Sequence, residues 1–475
     1  MGLIPILVFL SLSILIGLLA RGKWRSWAIL VVSVLSLYWL QPAIPIRHLD
    51  FWLPTLSLGL TVLVWQMIGS KNAERNRRED GITFAMIGAL VFALGLTRYL
   101  GKGTFLAPTR PPNPGSIAFA LLLLASLSLL ITKLREKGLS LANIGAGLVL
   151  VCFILLKSQP LAEAVSRGLR VLSGQSSDLA SASELQWLGF SYIAFRLLHT
   201  LRDHALDRLP PLTLREYLCY VLFFPALPAG PIDRAERFQR DLHSPASLTA
   251  KVGLEGGTRI VVGVFKKFVL ADSLAYFALN AANASRVCST AWLWIMLYAY
   301  GFRLYLDFSG YTDVAIGSGL LMGLRLPENF HQPYLKPNIA AFWNSWHITL
   351  AQWFRAYFFN PLTRTLRTAK VKLPAAAIIL IGQISTMALI GLWHGIAWNF
   401  LLWGLWHGLG LFLHNRWVDM QRSHPRWFPQ RLMEGHPLQV LSVFFTFHFV
   451  LLGWIPFVIP DVGQGMRLFL RLFGA

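Results

Sequence analysis

Two histidines stand in surroundings where an ionisable side chain needs a reason. His347 lies in Phe342-Trp343-Asn344-Ser345-Trp346-His347-Ile348-Thr349-Leu350, and His394 in Gly391-Leu392-Trp393-His394-Gly395. Both runs are apolar and rich in tryptophan, and an ionisable group at membrane depth is a candidate for function. Imidazole changes charge near neutral pH, so it can take a proton from a hydroxyl and pass it on. Helical spacing predicts that Trp343 at i−4 and Leu350 at i+3 share the face of His347. Trp346, Trp353 and Phe354 would complete an aromatic wall. Gly391 and Gly395 border His394, where they either leave room for a substrate or let two helices approach closely.

Other polar residues suggest structural duties. His407 shares a helix face with Leu411 and His414, and is expected to form a structural hydrogen bond or to snorkel to the interface. His199 and Asp203, spaced i and i+4, read as a polar pair. Asp307 and Asp313 flank Ser309-Gly310-Tyr311. In an apolar context each carboxylate needs a partner, and Arg303 is placed to serve Asp307. Cys152, Cys219 and Cys288 are isolated, without metal-ligand spacing, so no metal is expected. There is no Gly-x-Ser-x-Gly elbow, no cysteine beside a paired base, no His-Glu-x-x-His and no Walker loop. Direct transfer between two bound substrates, with histidine as base, fits better than a covalent enzyme intermediate.

The elements that must hold these residues are membrane helices. Of 475 residues, 55% are hydrophobic and 14% charged, against about 25% charged in soluble domains. Runs at 3–20, 27–44, 51–69, 81–97, 116–132, 141–156, 291–306, 374–392, 398–413 and 438–459 meet or approach the ~20 apolar residues of a span. The expectation is an all-α polytopic membrane protein of roughly ten or more transmembrane helices, with broken and amphipathic segments around a central funnel. Residues 1–157 would supply N-terminal spans and 158–475 the catalytic core, as one continuous membrane domain. The first run has no basic flank before it, so it reads as a retained span. Net charge is +21, scattered between spans, which suits leaflet anchoring and not nucleic acid. Basic loops at 71–78, 364–372 and 416–431 are expected in the cytoplasm. The pair 374–392 and 398–413 would then form a hairpin with its tip outward. Pro-rich 224–231 breaks any helix there, and such breaks are tolerated at membrane depth only when buried in protein or lining a cavity.

In order along the chain, Gly189-Phe190-Ser191-Tyr192, Phe223-Phe224-Pro225, Ala229-Gly230-Pro231-Ile232, Gly263-Val264-Phe265-Lys266-Lys267, Asp307 to Tyr311, Leu326 to Phe330, and the two Trp-His segments resemble the membrane-bound O-acyltransferase family. The match is to its bacterial branch, which acts on alginate and teichoic acids. The resemblance implies His347 and His394 as the paired active-site histidines, and Trp343, Trp346, Trp393, Asn329 and Asp307 are expected to bind the substrates. It implies no permanently bound cofactor. The donor would be a cytoplasmic acyl thioester, on coenzyme A or an acyl carrier protein, and the acceptor a hydroxyl of an extracytoplasmic polysaccharide. Branch members commonly work beside an extracytoplasmic SGNH-hydrolase-like partner. Asn344-Ser345, Ala356 and Thr363-Arg364 depart from the branch pattern and leave donor and acceptor open. The competing reading is a membrane transporter or a subunit of a polysaccharide-export complex. Intramembrane charges suit it, but no pair of related halves is visible.

Overall fold

The computed structural model describes residues 2–69, 77–100, 108–425, 427 and 435–474. The basic positions Lys71, Arg75, Lys102, Arg426 and Arg431 lie outside the described residues. Among those described, every regular element is helical. The chain divides into two compact units, Met1–Val261 with Asp313–Pro327, and Val262–Thr312 with Glu328–Ala475.

In the first unit, the apolar runs become α1 (Leu3–Leu19), α2 (Lys23–Trp39), α3 (Leu49–Met67), α4 (Arg77–Leu96), α5 (Pro114–Glu136) and α6 (Ala142–Lys157). After Ser158 the chain turns by 95° into α7 (Gln159–Leu172). Helix α7 is amphipathic, and Pro160 in its first turn suits a helix start. Its buried face carries Arg170, which pairs with Glu184 while Ser166 donates to the same carboxylate at 2.6 Å. Then follow α8 (Phe190–Ala205), α9 (Leu214–Val221), α10 (Ala235–His243) and α11 (Ala250–Val264).

The Pro-rich break between α9 and α10 is buried, and one side chain explains why that is tolerated. The Arg196 guanidinium, 1% exposed, donates to the carbonyls of Val221 at 2.9 Å and Ala226 at 3.2 Å. Carbonyls that the helix break would orphan are thereby satisfied, as burial requires.

The second unit holds α12 (Asp272–Ala275), α13 (Ala281–Ala284), the first part of α14 (Thr290–Leu321), α15 (Ile339–Trp343), α16 (Ile348–Phe354) and α17 (Asn360–Thr368). It ends with α18 (Ala375–His394), α19 (Trp398–Ser423), α20 (His436–Val458) and α21 (Val462–Arg471). Two π-helical turns interrupt it, Phe265–Ala271 and Arg355–Phe359. Such turns re-aim side chains and recur at functional sites.

Among the described residues four helices are long and apolar enough to cross a bilayer alone: Arg77–Tyr99, Pro114–Glu136, Ala375–His394 and His436–Val458. The bent pair α6–α7 makes a fifth if it counts as one span. The expectation of ten or more crossings goes beyond these.

Helices α18 and α19 form the expected hairpin, and glycine sets how close they come. A Cβ on Gly391 would sit 2.2 Å from the Phe400 carbonyl oxygen, and one on Gly404 2.4 Å from that of Met387. A Cβ on Gly395 would lie 2.8 Å from the Phe400 ring. The space beside Gly391 and Gly395 is therefore filled by the neighbouring helix. Of the two readings offered by the sequence, close helix approach is the one realised, and room for a substrate is not.

Candidate active site

The helix expected through His347 does not exist. Helix α15 ends at Trp343, and His347 takes the left-handed conformation, φ 42° and ψ 53°, immediately before α16. A non-glycine residue there is uncommon, costs of order 1–3 kcal/mol, and persists only when its surroundings enforce it. They do so from both sides. Asn329 accepts from Ile348 N–H through its backbone carbonyl at 2.9 Å. Its Oδ1 accepts from Thr349 N–H at 3.2 Å and from Thr349 Oγ1 at 2.6 Å. On the other side, Ser345 C=O accepts from His331 N–H at 3.0 Å. These pairings join positions far apart in sequence, which is why helical periodicity could not foresee the break.

The consequence is a displaced aromatic environment. His347 is 4% exposed, and its ring packs edge-on to Phe308 at 4.8 Å and to Trp393 at 6.1 Å. Neither ring nitrogen has a hydrogen-bond partner in another residue. Trp343 sits instead against Trp403 at 5.8 Å and His407 at 5.3 Å. Trp346 packs on Phe330 and Trp454, each at 5.2 Å. Both tryptophans are buried and shape the aromatic core behind His347.

His394 is the last residue of α18, at the hairpin tip. Its ring contacts Trp393 at 4.4 Å, Phe457 at 4.8 Å and Trp403 at 5.6 Å. The two histidines therefore lie on a common neighbour, the Trp393 indole. Straight full-length spans would have held them apart by much of the ~30 Å hydrocarbon core. His347 stands instead at the break between α15 and α16.

The other polar residues sort differently from expectation. Asp307 pairs with Lys267 on the first π-turn, not with Arg303, and its carboxylate is half exposed. Asp313, in the first unit, pairs with Arg259 at 3.0 Å. His199 is a structural histidine: Nδ1 faces Asp203 Oδ2 at 3.3 Å, and Nε2 accepts from Ala235 N–H at 3.2 Å. His407 neither snorkels nor forms a structural hydrogen bond. It is fully buried, without a partner on either nitrogen, between Trp403 at 5.0 Å and Trp343. Phe308 belongs to the Asp307–Tyr311 motif, whereas Phe400 and Phe457 have no counterpart among the sequence motifs, since single phenylalanines in apolar runs carry no signal.

A buried strained histidine, a second histidine across one indole and a membrane-helical frame fit the resemblance drawn from the motifs. The family model for MBOAT, the membrane-bound O-acyltransferase family, matches residues 144–454. The chain belongs to that family. Among curated relatives, teichoic acid D-alanyltransferase of Bacillus subtilis (strain 168) is 32% identical over 283 residues, 58% of this chain and 69% of that protein. "Probable alginate O-acetylase AlgI" of Azotobacter vinelandii is 33% identical over 297 residues, 60% of this chain and 53% of the relative. Peptidoglycan O-acetyltransferase of Helicobacter pylori is 32% identical over 263 residues, 54% of this chain and 46% of the relative. This MBOAT chain is an O-acyltransferase of the cell membrane, with several apolar helices. All the motif residues from Gly189 to Gly395, and both histidines, fall inside the matched stretch.

Proposed function

We propose that this acyltransferase moves an acetyl or similar acyl group from a cytoplasmic thioester, on coenzyme A or a carrier protein, to a hydroxyl of a cell-envelope polysaccharide. His394 acts as general base, and His347 orients the donor or shares the proton transfer. The observation that supports this reading is the pair of imidazoles flanking one indole. The acceptor class follows the relatives, whose names refer to teichoic acid, alginate and peptidoglycan. The acceptor oxygen attacks the thioester carbonyl carbon and forms the new C–O bond. His394 takes the hydroxyl proton as that bond forms. The C–S bond then breaks, and the departing thiolate takes up a proton from the imidazolium, restoring the base. Trp393 walls the path between the two rings, while Trp343 and Trp346 hold the aromatic layer behind it. With the loops at 364–372 and 416–431 cytoplasmic, the hairpin tip carries His394 toward the side from which the polymer arrives, where an SGNH-hydrolase-like partner could pass the product on. The basic loops offer an anionic donor a landing on the other side.

A positioned histidine base typically contributes about 10²–10⁴-fold. His394→Ala should therefore abolish ester-linked acyl groups on the envelope of cells lacking the native copy, at equal protein level. Transfer above about a tenth of the normal rate would remove His394 as the base.

A further inference from the structure

Asn329 is the most informative residue that the proposed mechanism leaves without a chemical role. It is 0% exposed. Its side-chain oxygen receives two hydrogen bonds from Thr349, one from the backbone N–H at 3.2 Å and one from the hydroxyl at 2.6 Å. A backbone N–H can only donate, so the group facing it must be the amide oxygen. The orientation of the amide is thereby fixed, and an alternative flip would set N–H against N–H. The other end, Nδ2, carries two hydrogens, is buried and has no hydrogen-bond partner. A buried donor left unmade is costly. The same short segment contains a second cost, the left-handed His347, whose two ring nitrogens are also buried and unpartnered. Asn329 helps hold that conformation, since it bonds to the two residues that follow His347, Ile348 N–H at 2.9 Å and Thr349.

We propose that Asn329 works at both ends: Oδ1 fixes His347, and Nδ2 donates to the thioester carbonyl oxygen as negative charge develops on it. The inference rests on the acyl-transfer reading above. Donor-only chemistry at Nδ2 suits an acceptor atom, and the reacting carbonyl is the acceptor that a thioester brings beside His347. As the hydroxyl oxygen bonds to the carbonyl carbon, the C=O electron pair moves to oxygen. One N–H of Nδ2 stabilises that oxyanion without reorganising, because the Thr349 bonds hold the amide before substrate arrives. When the C–S bond breaks, the pair returns and the carbonyl leaves as the new ester. Removing one such donor typically lowers turnover by about 10²–10³-fold.

The experiment compares Asn329→Asp, Asn329→Ala and Thr349→Val with the wild type in cells lacking the native copy. Ester-linked acyl groups released from the envelope by mild alkali are measured at equal protein level, and melting temperature is measured on the purified full-length protein. Asn329→Asp keeps an acceptor oxygen toward Thr349 and turns the donor end into a second acceptor. A buried unpaired carboxylate lowers its melting temperature, so acylation is read per folded protein, and it should fall about 100-fold or more, well beyond the loss in Thr349→Val. Thr349→Val weakens the clamp and leaves the donor, so it should lower the melting temperature while retaining more than about a tenth of the activity. Asn329→Ala loses both ends and should show both defects. Acylation by Asn329→Asp above about a tenth of wild type overturns the donor role. So does a Thr349→Val protein as inactive as Asn329→Asp, which would make the clamp the whole effect. If His347 and His394 variants retain full acylation, or the wild type adds no acyl ester, the acyl-transfer reading itself fails and takes this inference with it. Dead histidine variants beside an active Asn329→Asp sink the inference alone.

Discussion

His199 and His347 are both buried, on opposite terms. His199, within a continuous helix, uses one nitrogen toward Asp203 and the other to accept from the Ala235 backbone. His347 stands at a helix break in a strained conformation, with neither nitrogen bonded to another residue. A buried polar group normally finds partners because leaving it unmade is costly. The first histidine therefore reads as architecture. The second is maintained against its own cost, and strain of that kind gathers where a site is organised ahead of its substrate. Burial alone does not distinguish the two; the state of their ring nitrogens does.

The sharpest way to break this contrast is a pair of substitutions with opposite outcomes. His347→Asn keeps a residue tolerant of the left-handed region and removes the imidazole. Acylation should fall by about 10²-fold or more, while the melting temperature stays near wild type because no bonded partner is lost. A clear drop in stability with activity retained would make His347 a second His199.

His199→Ala should do the reverse. The Ala235 N–H loses its acceptor, which costs about 1–3 kcal/mol and lowers the melting temperature by several degrees. Activity per folded molecule, measured as acyl ester per immunodetected protein, should stay within about threefold of wild type, a factor worth under 1 kcal/mol.

His407 sharpens the comparison further, since it is buried and unpartnered like His347 but flanked by Trp343 and Trp403, with a helical conformation inside α19. If strain at a break is the mark of function, His407→Phe should fold at least as well as wild type and keep more than about a third of the activity, because a ring of similar shape replaces two unsatisfied nitrogens. Loss as deep as that of His347→Asn would show that unpartnered nitrogens alone mark the site.

The smallest effect is expected at Glu184, the fully partnered extreme. Its hydrogen bonds from Arg170, with a further one from Ser166, hold its carboxyl at about 2 against an ordinary 4.5. A lowered pKa contributes stability that is present above the ordinary value and is lost as pH falls from there toward 2. Glu184→Gln should flatten the acid limb of the melting temperature between pH 5 and 2, with acylation near neutral pH hardly changed. An acid limb identical to wild type would remove the ion pair from the account.

The sequence was readable wherever one element follows from its own residues. The run at 374–392 became α18 at Ala375–His394, and the run at 438–459 became α20 at His436–Val458, because apolar length dictates a span. His347 and His394 stood out as candidates from their tryptophan-rich settings, and the structure brings both against Trp393. What could not be read depends on residues distant in the chain: the break at His347 needs Asn329, and the partner of Asp307 is Lys267 on a π-turn. Gly391 was ambiguous for the same reason, since only the position of Phe400 reveals what fills the space beside it.

The glycine seam between α18 and α19 also bears on the order of assembly. Its contacts, Gly391 with Phe400 and Gly404 with Met387, join near neighbours in sequence across the short link at 395–397. Loops that short close at little entropic cost, and local contacts form early. The hairpin can zip as soon as both helices are in the membrane, fixing His394 before more distant pairings mature. His347 depends on the longer-range closure of 329 onto 348 and 349, so the proposed site would be built from one half that forms quickly and one that closes later. Slowing the seam would delay His394 alone, whereas loosening Asn329 would leave an ordered His394 without its proposed counterpart.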